Sequence, residues 1–167
     1  MRPRVRAPVT AYLAVGSNIG DKVGNLRAAV EAIAALPETR VTARSSAYRT
    51  PPWGKTDQDW FANAVIAVET GLAPLALLEA CLAIEVRLGR IRRERWGPRL
   101  IDIDLLRHGR SARTSEYLTL PHPAMHERAF VLIPLQEIAP RIKVAGQPIN
   151  TLLAGLDTAG IEPMAAL

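Results

Sequence analysis

A chain of 167 residues, of which 49% are hydrophobic and 22% charged, has the length and composition of one globular domain, which argues against a disordered or fibrous protein. The net charge is +5, and six of the eighteen arginines lie between Arg87 and Arg99, a cluster that favours a local anionic ligand while charge alone leaves nucleic acid open. No stretch is long and apolar enough to span a membrane, and the lone Cys81 has no partner for an internal disulfide, so we expect a cytoplasmic protein without membrane contact.

The hydrophobic pattern predicts elements in the order β-α-β-β-α-β. Strands are expected over residues 9–15, 41–49, 63–70 and 100–107, and helices over 25–36 and 74–88. This is the order of the ferredoxin-like unit, an α+β fold in which helices pack on the faces of an antiparallel sheet, here with both helices on one face.

The rest of the chain is predicted to extend the same single domain, residues 1–167. We expect a short strand near 117–120, a helix near 127–138 and a hairpin near 142–149. Residues 1–8 are predicted to form a frayed basic arm, and residues 152–167, rich in Ala and Gly, a loosely packed tail.

Two aspartates on the last predicted strand are the strongest sign of chemistry. Asp102 and Asp104 alternate with isoleucine and leucine, so both carboxylates share one strand face, ~7 Å apart along it. Like charges this close need a positive group between them. A nearby arginine would serve, as would a divalent metal, and Mg²⁺ takes one or two carboxylates together with phosphate oxygens. When such a pair occurs without other motifs, it more often lies on the solvent-exposed face of an ordinary amphipathic strand.

Several short motifs accompany this strand, and together they resemble one family. They are Tyr12-Leu13-Ala14-Val15-Gly16-Ser17-Asn18, Tyr48-Arg49-Thr50-Pro51-Pro52, Phe61-Ala62-Asn63-Ala64, Leu88-Gly89-Arg90-Ile91-Arg92, Arg95-Trp96-Gly97-Pro98-Arg99, Ile101-Asp102-Ile103-Asp104, Pro121-His122-Pro123 and Glu127-Arg128-Ala129-Phe130-Val131-Leu132. In this order, over about residues 11–140, they resemble the 6-hydroxymethyl-7,8-dihydropterin pyrophosphokinases of folate biosynthesis.

The resemblance implies transfer of pyrophosphate from ATP to the hydroxymethyl group of the pterin, with release of AMP. It implies that Asp102 and Asp104 hold two Mg²⁺ ions on the ATP phosphates, and that Arg90 and Arg92 act in catalysis from a loop that closes over the triphosphate. No general base is predicted, because positioning and electrostatic stabilisation dominate phosphoryl transfer.

The same resemblance assigns residues to the two substrates. It places ATP near Glu85, Arg99, Thr119, His122 and Arg128. The pterin is assigned to Thr50, Pro51, Trp53, Phe61, Asn63, Trp96 and Phe130. Purely structural roles stay open for five of these residues: Glu85 as a cap or a partner of Arg90, His122 as a turn residue between prolines, Trp96 as a lid anchor, and the two phenylalanines as core residues. For Arg90 and Arg92 the structural alternative is a solvated loop. Leu82, Tyr117 and Pro123 stand where family members vary and receive no role.

Two other classes of protein share part of this pattern. A palm-type nucleotidyl transferase also places paired aspartates on a ferredoxin-like sheet, but it releases pyrophosphate rather than AMP. An RNA-binding module has the same fold and a high pI, yet it displays aromatic side chains on its central strands. The strands predicted here carry few aromatics, chiefly Tyr12 and Tyr48, so we expect no nucleic acid as a partner. The family resemblance implies ATP and the pterin as partners and a monomer.

Overall fold

The computed structural model describes residues 6–52, 56–89 and 99–167. The elements follow in the order β1 (Val9–Ser17), α1 (Lys22–Ala34), β2 (Thr39–Arg44), β3 (Ala47–Thr50), β4 (Phe61–Thr70), α2 (Pro74–Arg87), β5 (Asp102–His108), β6 (Arg113–Thr114), β7 (Thr119–Leu120), a 3₁₀ turn (Met125–Glu127), α3 (Ala129–Ile138), β8 (Lys143–Val144), β9 (Gln147–Pro148), α4 (Ile149–Ala154) and β10 (Glu162–Ala165). The helix start and stop signals hold, since Pro74 opens α2 and Gly89 follows its end with a φ of 95°.

One antiparallel sheet organises the molecule. Its central strands run β5–β1–β4, β2 and β3 both pair with the outer edge of β4, and β10 pairs with β3. The predicted ferredoxin-like α+β architecture is therefore confirmed. The smaller β6–β7 and β8–β9 pairs confirm the short strand and the hairpin expected in the second half of the chain.

The strand predicted over residues 41–49 is in fact two strands, and the break has a local cause. At Ser45 the backbone N–H still donates to Val65 O, at 2.9 Å. The Ser45 hydroxyl then accepts from the N–H of Val65 at 2.9 Å and donates to Ser46 O at 2.8 Å, taking the place of a backbone partner. A side chain that competes with the ladder in this way redirects the strand. The alternation of residue types carries no sign of it.

The two faces of the sheet carry different helices. Helices α1 and α2 cover the face formed by Ala11, Leu13 and Val15, and their apolar residues complete the larger core cluster, which includes Cys81. The opposite face packs against α3 and α4 through a second cluster that includes Val65 and Leu106. The prediction that both helices of the ferredoxin-like unit share one face is confirmed.

The end of the chain is more ordered than expected. Residues 162–165 pair with β3, and an Arg27 guanidinium nitrogen donates to Ala166 O at 2.9 Å. These contacts give the end of the chain regular structure that the sequence analysis does not predict, and the loosely packed tail stays a prediction. Residues 6–8 belong to no helix or strand, while residues 1–5 of the predicted arm lie outside the described part of the chain. Within that part, no helix has both the length and the apolar character needed to cross a bilayer.

Candidate active site

A cleft opens between the α3 face of the sheet and the beginning of α3. Its lining comes from the ends of β1, β3, β4 and β5 that lie near α3, together with the first turn of that helix. The residues predicted for ATP that line it are Arg99, Asp102, Asp104, His122 and Arg128. Those predicted for the pterin are Thr50, Pro51, Phe61, Asn63 and Phe130. Residues spread over eighty positions of sequence thus share one cavity.

The two aspartates occupy the strand face that the sequence predicts. Asp102 lies opposite Gly16 and Asp104 opposite Ala14 on β1, while the intervening Ile103 is buried in the core on the other face. A guanidinium nitrogen of Arg99, Nη1, lies 2.9 Å from Oδ2 of Asp102. Arginine therefore supplies part of the positive charge that the carboxylate pair requires. Small residues on β1 leave space above both carboxylates.

The donor set suits Mg²⁺ held together with a phosphate ligand. In the described ranges, no group of three or more His, Cys, Asp and Glu side chains forms a metal cage of protein ligands alone. Two carboxylates on one wall of an open cleft, beside arginine side chains, match the ion's preference for few protein oxygens supplemented by phosphate oxygens and water. The residues present therefore fit a metal that arrives with a polyphosphate.

His122 lies at the end of the cleft that holds the aspartates, and its ring has a defined tautomer. Its backbone N–H donates to Leu106 O at 2.9 Å, which fixes the segment to β5. The N–H of Ala124 donates to the ring Nδ1 at 3.2 Å, so the ring proton resides on Nε2. Burial lowers the pKa of His122, and the charge of Arg128 lowers it further, whereas Asp102 acts in the opposite direction. A neutral imidazole with a donor at Nε2 results.

A short hydrogen-bond chain marks the other end of the cleft. The side-chain nitrogen of Asn63 donates to the hydroxyl oxygen of Thr50 at 2.6 Å, and Thr50 Oγ1 lies 3.5 Å from Phe61 O. Thr50 is buried, so this amide orientation is held in place. The Asn63 amide oxygen lies so close to Gly16 that a Cβ added to Gly16 would be 2.6 Å from it. The site therefore needs glycine at this position.

The two phenylalanines lie in the cleft rather than in the fully buried core. Phe61 begins β4 and Phe130 stands in the first turn of α3, and both are half-buried. The Arg128 guanidinium carbon lies 5.8 Å from the centroid of the Phe130 ring, which connects the aromatic end of the cleft to its cationic end. A flat apolar ligand and an anionic one would thus be neighbours.

Comparison with known proteins identifies the family. The model of the 7,8-dihydro-6-hydroxymethylpterin-pyrophosphokinase (HPPK) family matches residues 12–140. A 2-amino-4-hydroxy-6-hydroxymethyldihydropteridine pyrophosphokinase of Methylorubrum extorquens is 57% identical over 152 residues, which cover 91% of this chain and 96% of that protein. One of the same name from Pseudomonas aeruginosa is 44% identical, covering 90% and 94%. The chain belongs to the HPPK family.

Solved structures agree with the fold of the HPPK family. A Plasmodium falciparum HPPK-DHPS protein, solved as the A437G variant with STZ-DHP, superposes with a TM-score of 0.72 at 14% identity and covers 92% of this chain. An HPPK-DHPS in complex with substrates gives 0.68 at 15% identity and covers 88%. This chain spans 46% and 44% of those longer chains. At such identities the likeness concerns the fold of the shared region.

Some residues predicted from the HPPK resemblance lie elsewhere. Glu85 is buried beneath β5, where it accepts from the N–H of Ile103 at 3.4 Å, and it does not line the cleft. Thr119 lines an adjoining cavity that shares Asp104 and His122 with the cleft. The other predicted site residues fall outside the described part of the chain: Trp53, Arg90, Arg92 and Trp96.

The motif Gly16-Ser17-Asn18 contains site residues to which the sequence analysis gives no role. Gly16 provides the close approach to Asn63. The Asn18 side chain accepts from the N–H of Arg99 at 2.7 Å and donates to Gln58 Oε1 at 3.0 Å. Asn18 thus fastens the segments before β4 and β5 to the end of β1. In the sequence these residues end the first motif on which the family resemblance rests, but the motif does not show which contacts Asn18 makes.

Proposed function

We propose that this cleft is where the chain joins its two substrates, ATP and 6-hydroxymethyl-7,8-dihydropterin. As a member of the HPPK family, the chain is an ATP-dependent diphosphotransferase that moves pyrophosphate to the hydroxymethyl group of the pterin and releases AMP, in folate biosynthesis. One observation carries the assignment of the site. A carboxylate and arginine cluster lies in the same cavity as an aromatic pair beside a fixed amide and hydroxyl.

At the end of the cleft that holds the aspartates and arginines, Asp102 and Asp104 would bind magnesium together with the ATP. We propose that there are two such ions. Such ions neutralise charge on the phosphate oxygens and orient the transferred group. Arg99 is oriented by its contact with Asp102, and Arg128 and His122 line the same wall. We assign these three side chains to the remaining phosphate oxygens, because guanidinium and neutral imidazole N–H groups donate to anionic oxygen. Thr119 is assigned to the nucleotide from beside this wall, and Glu85, buried beneath β5, is assigned to it only through its contact with that strand.

At the aromatic end, Phe61 and Phe130 would stack on the two faces of the pterin ring. The ring carries donors and acceptors that must be satisfied when it leaves water. Asn63 is suited to this task because its nitrogen is committed to Thr50, which leaves its amide oxygen to accept from the ligand. Thr50, Pro51 and Trp53 would supply backbone contacts, and Trp96 would cover the site.

The reaction needs little covalent participation from the protein. The hydroxymethyl oxygen attacks the β-phosphorus of ATP, the bond from that phosphorus to the α,β-bridging oxygen breaks, and AMP leaves with the electron pair. Negative charge grows on the phosphoryl and leaving oxygens, where arginine donors gain most in the transition state. In our proposal Arg90 and Arg92 complete this set by closing over the triphosphate.

Product analysis tests this proposal directly. The protein is incubated with ATP and Mg²⁺, with and without hydroxymethyl-dihydropterin, and nucleotide products are resolved by chromatography. We expect AMP only when the pterin is present, in amounts equal to the pterin diphosphate formed. Pyrophosphate release would instead indicate a nucleotidyl transferase, and tight, salt-sensitive RNA binding without ATP turnover an RNA-binding module. We also propose a cytoplasmic monomer, to be checked by fractionation and light scattering.

A further inference from the structure

Strand β3 is four residues long and lies between β4 and β10 in the sheet. Its four residues pair with β4 only through Tyr48–Asn63, Arg49–Ala62 and Thr50–Phe61, and the kink at Ser45 precedes it. Yet β3 carries Thr50, whose hydroxyl fixes the Asn63 amide in the cleft. Contacts from outside the sheet would add to the pairing with β4 and β10 in fixing this position.

Glu137, in the last turn of α3, supplies such contacts. Its Oε2 accepts from the backbone N–H of Ser46 at 2.6 Å, and its Oε1 accepts from the phenol of Tyr48, also at 2.6 Å. The Ser46 hydroxyl lies 3.3 Å from Oε2. One carboxylate therefore holds the kink with one oxygen and the strand itself with the other. Burial, together with this hydrogen bond, raises the pKa of Tyr48 to about 12, so the phenol keeps its proton at neutral pH.

The helix that carries Glu137 is the fixed partner in this arrangement. Leu132 and Leu135 of α3 are fully buried in the second core cluster, whereas β3 lies towards the edge of the sheet and is covered there only by β10. Tyr48 and Thr50 are two residues apart, so their side chains share one strand face. The hydrogen bond that holds Tyr48 therefore also helps to fix the position of Thr50 relative to Asn63.

We infer that Glu137 is a positioning residue that holds Thr50 and Asn63 in register for the pterin, acting through Ser46 and Tyr48 from outside the cleft. This inference rests on the proposed function, since it concerns recognition of the pterin in that cleft. Glu137 does not line the cavity. Its loss is therefore expected to change how well the pterin binds and to leave the ATP end intact.

The test compares Glu137→Ala with Glu69→Ala, a matched control. Glu69 is also an exposed glutamate in a contact between elements, its partner being Arg40 on β2, but it lies at the far end of β4. We expect Glu137→Ala to raise the KM for the pterin about fivefold and to change the KM for ATP less than about twofold, as befits loss of exposed charge-assisted hydrogen bonds. The control should change neither. Glu137→Gln keeps one acceptor oxygen, and Tyr48→Phe keeps the contact of Glu137 with Ser46. We therefore expect the pterin KM of both variants to lie between that of the wild type and that of Glu137→Ala.

A substrate-free measurement separates this inference from the proposed function. Amide hydrogen exchange of residues 46–50 should become faster in Glu137→Ala and stay unchanged in Glu69→Ala. Faster exchange together with the selective change in pterin KM supports the inference. Unchanged exchange overturns it, and so does faster exchange with an unchanged pterin KM or an equal rise in both KM values. Absence of AMP release by the wild-type protein would refute the proposed function instead. Hydrogen exchange of residues 46–50 would still show whether Glu137 stabilises β3 through Ser46 and Tyr48.

Discussion

The two faces of the central sheet are built from the same strands and do opposite things. On β1, Leu13 and Val15 point into a closed core beneath α1 and α2, while Ala14 and Gly16 line the open cleft beneath α3. On β5 the alternation repeats, because Ile103 is buried and Asp104 faces the cleft. One residue of shift along a strand exchanges a core position for a site position.

The difference shows that one face of the sheet contributes mainly to the stability of the fold, whereas the other provides the cleft. The face under α1 and α2 is covered by closely packed, buried apolar side chains, among them Leu13, Ile33 and Ile84. The α3 face is filled only in part, because Ala14 and Gly16 are small and leave the cleft open. Substitutions on the first face should therefore change unfolding, and those on the second should change ligand binding or turnover.

The largest expected effect is on turnover. Asp102→Asn or Asp104→Asn should lower kcat about 10³-fold, because the amide neither binds magnesium strongly nor balances the arginines. Thermal melting of the free protein should shift by no more than about 2 °C, since these side chains are partly exposed. Glu69→Gln, at the other end of the sheet, serves as control. A variant of either aspartate that turns over at the wild-type rate would remove the metal assignment.

The complementary substitution lies on the closed face. Leu13→Ala removes a side chain with no exposed surface and should lower the free energy of unfolding by about 3 kcal/mol, measured by urea denaturation. Below its melting temperature the variant should keep wild-type KM values for both substrates. Val86→Ala is a control, since that side chain is 73% exposed and should change stability little. A change in KM without loss of stability would show that the two faces are not separable.

A third substitution tests the aromatic end of the cleft. Phe130→Ala should weaken pterin binding by about 2 kcal/mol, the value expected for one ring stacked on a base-like ligand, and should affect ATP far less. Calorimetric titration with each ligand measures both. Ile138→Ala, in the last turn of the same helix and packed against the same cluster, controls for damage to α3. Equal losses for both ligands, or failure to fold, would assign Phe130 to the core.

Much of the fold follows from sequence because its signals are periodic and local. Strand alternation placed Asp102 and Asp104 on one face, and Pro74 and Gly89 marked the limits of α2. The break at Ser45 was missed because a serine that replaces a backbone partner leaves the alternation unchanged. The pairing of residues 162–165 with β3 was missed because it depends on an edge left open by distant strands.

The family motifs predicted the residues of the candidate site, but the contacts and burial of those residues could be seen only in the structure. Side-chain chemistry identified Asp102 and Asp104 as candidates, and the family motifs identified Arg99 and Asn63. The sequence could not reveal that Glu85 is buried under β5, since burial is a property of packing. Nor could it reveal the contribution of Asn18, whose partners lie 40 and 81 residues away. Residues that act by position carry weaker sequence signals than residues that act by charge.

Among the substitutions that test the two-face comparison, Gly16→Ala has the smallest expected effect and gives the sharpest test. A methyl group at this position would lie 2.6 Å from the Asn63 amide oxygen, so the amide must turn away and weaken its hydrogen bond to Thr50. Gly16→Ala should therefore reduce pterin affinity about tenfold, in line with the loss of one oriented polar contact, and change stability little because only a side-chain end has to move. Gly155→Ala, where the added carbon meets nothing closer than 3.7 Å, is the matched control. Pterin titration of both variants decides: if Gly16→Ala binds the pterin as the wild type does, the glycine is not there to admit Asn63. A small residue on the cleft face would then need another explanation, whereas a tenfold loss without unfolding would show that one methyl group is enough to close part of the open face.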